Sequence, residues 1–362
     1  MQTADFDYAL PPALIAQSPP PRRSDARLLV LRRATGEIGH HGIGDLPGLL
    51  HAGDLLVLND TRVLPARLFA VRDSGGRVEL LLLQPTATSG PTAPPAPALW
   101  TALLRPARRI HVGEPLRLLL PPAAVPCSAP GPPPLARVLR HLGEGEAEVS
   151  LQGPGTDDVP ALLRRYGQMP LPPYIRARLE DPERYQTVYA RAEGSAAAPT
   201  AGLHFTADLL AACAAAGVRR ADLTLQVGLG TFRPVSAARP EDHRMHAERF
   251  QVGTAAAAAV AAARARGGRV VAVGTTVVRS LETQAAGGGL VRPGGGWTDL
   301  YILPGRAFGV VDALLTNFHL PRSTLLMLVC AFGGVEAVLA AYREAVRLRY
   351  RFFSFGDAML VL

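Results

Sequence analysis

Lysine is absent from this chain, so all 38 basic residues are arginines. That excludes Schiff-base chemistry, pyridoxal phosphate anchoring and the phosphate loop G-x-x-x-x-G-K. Arginine cannot substitute, because it does not deprotonate near neutral pH. Asparagine is nearly absent too, with only Asn59 and Asn317. A composition biased toward Arg, Ala and Pro accounts for both scarcities. Cys127, Cys213 and Cys330 are far apart and lack a C-x-x-C partner. Neither a disulfide framework nor a zinc-thiolate site is available, which fits a reducing cytoplasm. The first ten residues have no basic segment followed by an apolar one, so no secretory signal is expected. The longest aliphatic runs, 254–263 and 325–332, are too short to span a bilayer, so no membrane is expected as a partner.

What is present suits an enzyme of two domains. The chain has 362 residues and is 48% hydrophobic, enough for a sizeable core. Its prolines and glycines cluster, which reads as loops set into a folded protein. The formal net charge of +8 fits a polyanionic partner, nucleic acid before membrane.

Residues 54–58 (DLLVL) read as a buried strand. From 64 to 151 the pattern is all-β. Candidate strands at 66–71, 77–83, 100–104, 116–120, 135–140 and 147–151 are separated by Gly- and Pro-rich turns. Two Pro/Ala-rich loops, 85–97 and 121–134, interrupt them and read as solvated loops without chemical content. After about Gly155 helices and strands alternate. Thr206 caps a helix that ends before Gly217, and strands are expected at 223–227, 269–273 and 314–316. Helices are expected at 255–266, from Thr275 to Glu282, at 323–332 and at 335–349. The expected fold is α/β: a layered domain with a mixed, largely parallel sheet, made of residues 1–66 and 153–362. A small antiparallel β-barrel, 67–152, is inserted into it.

Six polar constellations stand out. Asn59, Asp60, Thr61 and Arg62 follow the strand DLLVL, where α/β sheets place ligands and where an Asx turn is equally at home. In 199–206 (PTAGLHFT), Thr200 and Gly202 allow close backbone approach, and His204 precedes a helix N-terminus that attracts anions. The alternative is a tight loop with a buried His. Gly228, Gly230 and Thr231 follow another strand, but G-x-G lacks the third glycine of a dinucleotide fingerprint. His243, His246 and Glu248 form an acid/base or substrate-binding cluster, a metal pair without a third ligand, or a solvated face. Thr275, Thr276 and Arg279 follow a strand-to-helix turn at Gly274 that can make an anion or ribose pocket, or simply cap a helix. Asn317, His319 and Arg322 follow the strand at 314–316. The only two asparagines both stand at strand ends, which favours function for them.

Together these segments resemble one family, the S-adenosylmethionine:tRNA ribosyltransferase-isomerases of queuosine biosynthesis. The similarity runs through 5–17 (DFDYALPPALIAQ), 53–68 (GDLLVLNDTRVLPARL) and 169–175 (MPLPPYI). It continues through 183–190 (ERYQTVYA), 197–206 (AAPTAGLHFT), 228–235 (GLGTFRPV), 271–282 (VAVGTTVVRSLE), 297–305 (WTDLYILPG), 310–329 and 341–360. The two Pro/Ala loops depart from it and put only loop lengths of the barrel in doubt. The resemblance implies transfer of the ribosyl group of S-adenosylmethionine, not its methyl. The acceptor is 7-aminomethyl-7-deazaguanine at the wobble position of tRNA. The products are epoxyqueuosine-tRNA, adenine and methionine.

That chemistry sets a parts list. The sulfonium acidifies the neighbouring ribose carbon, so a base can take its proton. Adenine leaves more readily when protonated, and the acceptor amine must be neutral to attack. His204, His243, His246 and Glu248 are the candidates for proton transfer, with Asp60, His319 and Asp312 as further ones. Thr275, Thr276 and Arg279 are assigned to the methionine carboxylate or ribose, and Asn59, Arg62 and Asn317 to orientation. Thr61, Thr200, Gly202, Gly228, Gly230, Thr231 and Arg322 complete the expected binding set. No metal and no cofactor beyond the co-substrate is expected. The partners are the tRNA anticodon stem-loop and S-adenosylmethionine, and the expected state is a cytoplasmic monomer.

Overall fold

Residues 55–58 are all aliphatic, and they form the middle of β3 (Leu55–Asn59), buried along its whole length. A strand with apolar residues on both faces belongs inside a sheet covered on both sides. In the computed structural model, which describes residues 1–86, 98–121, 132–177, 179–228, 235–285 and 289–362, β3 lies at the centre of a nine-stranded sheet. The other members are β1 (Arg27–Arg32), β2 (Glu37–Gly42), β12 (Arg219–Leu225), β13 (Glu248–Val252), β14 (Val270–Val273), β15 (Gly294–Thr298), β16 (Ala313–Asn317) and β17 (Ala358–Val361). Their order is β15-β13-β12-β3-β14-β16-β17-β1-β2. The central block β12-β3-β14-β16 is parallel, and β1 is parallel to β17. The pairs β15-β13, β13-β12, β16-β17 and β1-β2 are antiparallel. The sheet is therefore mixed with a parallel centre, as expected.

Helices cover both faces. Alternate residues of β3 point oppositely, so Leu55 and Val57 join one core and Leu56 and Leu58 the other. The first core is closed by α4 (Thr254–Ala265), α5 (Thr275–Gln284), α6 (Thr324–Gly333) and α7 (Val335–Arg347). The second is closed by α1 (Leu46–Leu49), α3 (Ala207–Ala215) and the 3-10 turn Thr200–His204. Thr206 caps α3 by accepting from the Leu209 N–H, and Gly217 beyond its end has φ +80°. No single described helix is long and apolar enough to cross a membrane.

The chain divides into two units. One comprises 1–62, 172–192 and 197–362; the other comprises 63–171 and 193–196. Short strands β4 (Thr61–Val63) and β11 (Ala192–Ser195) lie where the chain passes between them. The second unit holds a closed antiparallel barrel of β5 (Arg67–Val71), β6 (Arg77–Pro85), β7 (Ala98–Arg105), β8 (Pro115–Leu119), β9 (Leu135–Gly143) and β10 (Glu146–Gln152). Closure in the order β10-β7-β6-β5-β8-β9 leaves no free edge. The same unit includes α2 (Val159–Tyr166), so it extends past the residue 152 expected as the end of the insertion. The physical reason is an isolated pairing of Gln168 with Arg67, which ties the segment after α2 to β5. Most of the two Pro/Ala loops lies outside the described residues.

Candidate functional site

Position along a strand sorts the candidate residues. β12, β3, β14 and β16 run in one direction, so whatever follows them gathers at one edge of the sheet. β3 is flanked by β12 on one side and β14 on the other, and such a reversal opens a crevice at the carboxyl ends. Asn59, Gly274 and Asn317 all end or follow these strands.

Asn59 is 1% exposed and fully engaged. Its amide donates to the Leu225 carbonyl at 3.0 Å and to the Thr276 hydroxyl at 3.2 Å. Its oxygen accepts from the backbone of Leu225 and Thr61. It therefore locks three segments of the crevice floor together. Gly274 has φ +91°, which glycine adopts readily, and it opens α5 immediately after β14. The first N–H groups of a helix have no partner inside it, so Thr275 and Thr276 bring free donors to this edge.

Across the crevice Asn317 organises a second group. Its Nδ2 donates to the Phe353 carbonyl at 3.2 Å and lies 3.1 Å from His204 Nε2. Its Oδ1 accepts from the Thr200 hydroxyl at 2.9 Å. A carbonyl can only accept, so the atom facing Phe353 is the amino nitrogen. His204 Nε2 must then accept as well, and the ring proton sits on Nδ1. Burial pushes His204 down to about 4, with Arg23 and Arg351 adding to the fall and Asp357 opposing it. The ring is neutral at physiological pH. Gly202, in the same 3-10 turn, has no room for a side chain: a Cβ there would lie 2.2 Å from the Tyr189 hydroxyl. His319 is buried as well; its Nε2 is 2.9 Å from the Thr316 hydroxyl, and burial lowers it to about 3.

The histidine and glutamate cluster reaches the same edge, because β13 runs antiparallel to β12 and begins where β12 ends. His243 is half-buried and packs edge-on against Tyr301, with ring centroids 5.6 Å apart. Burial lowers its pKa, and His246 adds to that. His246 is exposed. Glu248 is buried and accepts from the Gly228 N–H at 2.8 Å. Gly230 and Thr231 lie outside the described residues.

Two expectations, Arg279 and Asp312, need correction. Arg279, expected at the methionine carboxylate or ribose, is instead engaged within the protein. It is 2% exposed; its Nη1 pairs with Glu248, and its Nε and Nη2 donate to the carbonyls of Leu300 and Thr298 at 3.0 Å. Its side chain runs sideways toward β13 and the segment after β15, so the residue expected to carry a proton and the one expected to bind the carboxylate are each other's partners. Asp312 precedes β16, so it stands at the amino edge of the sheet, where it accepts from the Val270 N–H at 2.8 Å. Asp60 follows β3 but is held by Arg191 at 2.7 Å and by the Thr224 hydroxyl at 2.6 Å. Arg322 is exposed and pairs with Asp7. Thr61 donates to the Ala192 carbonyl, and Arg62 pairs with Glu183.

A small pocket, open to solvent, lies beside His204. It is walled by Pro19, Pro20, Arg23, Arg184, His204 and the segment Ser354–Gly356, with Leu203 completing it. Asp357 fixes that segment by accepting from the backbone of Arg27 and Arg351 and from the Arg27 guanidinium. Sequence reasoning did not single out Arg23, Arg184 or Ser354. Arg184 falls inside the ERYQTVYA segment and Ser354 inside the segment 341–360, and these two signals pointed there.

Comparison with known proteins bears on this site. The sequence model of the family described as "Queuosine biosynthesis protein" matches residues 3–361. The S-adenosylmethionine:tRNA ribosyltransferase-isomerase of Symbiobacterium thermophilum is 52% identical over 364 residues, covering 100% of both chains. The protein of the same name from Moorella thermoacetica is also 52% identical, with 100% of both chains covered. Among solved structures, S-adenosylmethionine tRNA ribosyltransferase from Thermotoga maritima is 37% identical, with a TM-score of 0.54, covering 99% of this chain and 100% of that one.

Proposed function

The chain belongs to the family described as Queuosine biosynthesis protein, and we propose that it acts as its curated relatives are named, as an S-adenosylmethionine:tRNA ribosyltransferase-isomerase. Full-length identity of about half to those relatives carries this reading. The substrates are S-adenosylmethionine and tRNA.

The finer assignment is that the ribosyl group goes to 7-aminomethyl-7-deazaguanine in the anticodon stem-loop, on a monomeric cytoplasmic enzyme needing no further cofactor. A base takes the proton from the ribose carbon next to the sulfonium. Adenine departs as it gains a proton, and the neutral amine bonds to the opened sugar. The sulfur-stabilised carbanion closes the ring, and an alkoxide then expels methionine to leave the epoxide. The sulfonium supplies the driving force, so the protein has to position, exclude water and move protons.

The carboxyl-edge crevice suits the donor. Its floor is set by Asn59 and its free donors are the first N–H groups of α5, at Thr275 and Thr276, where anionic or ribose oxygens are stabilised. His243 and His246 are the proton-transfer candidates, since His246 is exposed and His243 half-buried. His204 and His319 are kept neutral by burial and serve as hydrogen-bonding groups. The deciding experiment incubates the protein with S-adenosylmethionine and an RNA stem-loop carrying the aminomethyl base. Release of adenine and methionine is expected; formation of S-adenosylhomocysteine would mean methyl transfer and would overturn the reading.

A further inference from the structure

The pocket beside His204 has an unusual charge arrangement. Three guanidinium groups surround it or back it, and each is held by backbone carbonyls. Arg23 donates to the carbonyls of Leu203, Glu183 and Gln186. Arg184 donates to Pro20 and Pro21, and Arg351 to Ser18. Among the described residues none of the three has a carboxylate within salt-bridge distance; Asp181 and Glu183 act on Arg23, and Asp357 on Arg351, from farther away. A carbonyl fixes an arginine in place without neutralising it. The pocket is thus a built concentration of positive charge.

The second observation is the His204 ring. It is 4% exposed, and Asn317 occupies its Nε2. Its Nδ1 has no partner among the described residues, and the ring forms part of the pocket wall. The Nδ1–H is therefore available to donate to a group that enters the pocket. Arg23 and Arg184 in the same wall favour a negatively charged acceptor.

We propose that the pocket walled by Arg23, Arg184, His204 and Ser354–Gly356 is a subsite for an anionic oxygen group, a carboxylate or a phosphate, which accepts the His204 Nδ1–H. Asn317 is the positioning residue: it fixes the tautomer in which Nδ1 carries the proton. His204 is then a donor toward the ligand and not a base. The inference rests on the proposed function for its two sources of oxyanion, the methionyl carboxylate of the donor and a phosphate of the RNA.

The test uses the full chain with Arg184→Gln, His204→Phe and His204→Asn. The asparagine places a donor close to the former Nδ1. Binding of S-adenosylmethionine, of its decarboxylated analogue and of the RNA stem-loop is titrated directly. If the donor carboxylate occupies the pocket, Arg184→Gln and His204→Phe weaken S-adenosylmethionine by about 10-fold or more, while the decarboxylated analogue binds variants and wild type alike. If an RNA phosphate occupies it, both variants weaken the stem-loop, and the slope of log affinity on log salt falls by about one in Arg184→Gln. In either case His204→Asn retains most of the lost affinity. Unchanged affinity for all three ligands in folded Arg184→Gln and His204→Phe overturns the proposal. A wild-type protein that releases no adenine defeats the functional reading instead, and the titrations still decide the pocket.

Discussion

Glu248 at the start of β13 and Arg279 in α5 form an ion pair with only 3% and 2% of their side chains exposed. Both strand and helix contribute to the crevice edge, so the pair joins the wall of the site to its floor. Two buried charges are tolerated there because Arg279 also satisfies two carbonyls and Glu248 accepts a backbone N–H. Removing one partner leaves the other buried without its counter-charge.

Arg279→Met and Glu248→Gln are therefore each expected to lower stability by ~3–5 kcal/mol, and the double variant by less than their sum. Urea unfolding of the three proteins measures this. Arg279→Lys keeps the charge but cannot reach three acceptors in a plane. It too should act on stability first, not selectively on the Michaelis constant of the donor. A folded Arg279→Lys of wild-type stability that binds the donor weakly would restore the carboxylate role.

Gly202→Ala forces a methyl against the Tyr189 hydroxyl and Thr187, at 2.2 and 2.8 Å. The 3-10 turn that carries His204 must shift. Overpacking of this kind costs about 1–3 kcal/mol, and a lower melting temperature with weaker substrate binding is expected.

His243→Ala and His246→Ala should each reduce turnover by about 100-fold or more if the residue transfers a proton, with melting temperature little changed for the exposed His246. Wild-type turnover in both variants would remove the pair from the mechanism. Asp312→Asn, by contrast, lies at the far edge of the sheet and should leave turnover within about twofold of wild type.

Stability should fall in mild acid. His204 and His319 sit at about 4 and about 3 when folded, below the value of ~6.5 that an unfolded histidine has. Above that value both states are neutral and neither ring affects the balance. As pH falls from ~6.5 toward 4, the unfolded chain takes up protons that the folded one refuses. Each ring then removes ~1 kcal/mol per pH unit. The slope of unfolding free energy between about pH 6 and 5 should drop by that amount in His319→Gln. An unaltered slope would show that His319 charges equally in both states.

Strands with continuous apolar runs were legible from the sequence. β3 and β14 announce themselves in LLVLN and VVAV, and the six barrel strands in their turn spacing. β15 did not, because GGGWT has no strand pattern and its state is imposed by pairing with β13. The same limit applies to the site. That polar residues follow strands is local, so the strand-end positions of Asn59, Thr276 and Asn317 were legible. That Asp312 precedes its strand is also local, and reading its direction would have put it at the other edge. The pocket was not legible, since Arg23, Arg184, His204 and Ser354 come from four separate stretches that only the fold brings together. Arg279 was misassigned because helical spacing gives a residue's position on the axis and not where a long side chain ends.

The position of β17 matters for how the molecule is made. Ala358–Val361 lies between β16 and β1, with Leu28 in register with Ala358. β1 and β2 therefore have no seat in the sheet until β17 has left the ribosome. During vectorial synthesis the first two strands wait as an isolated hairpin while the barrel and the central parallel strands emerge. A hairpin alone is marginal in water. Ordering of residues 27–42 is thus a late event on the nascent chain, completed by the arrival of its distant neighbour, and ribosome stalling before residue 358 would leave the β17-facing edge of Leu28–Leu31 unpaired and open to chaperones.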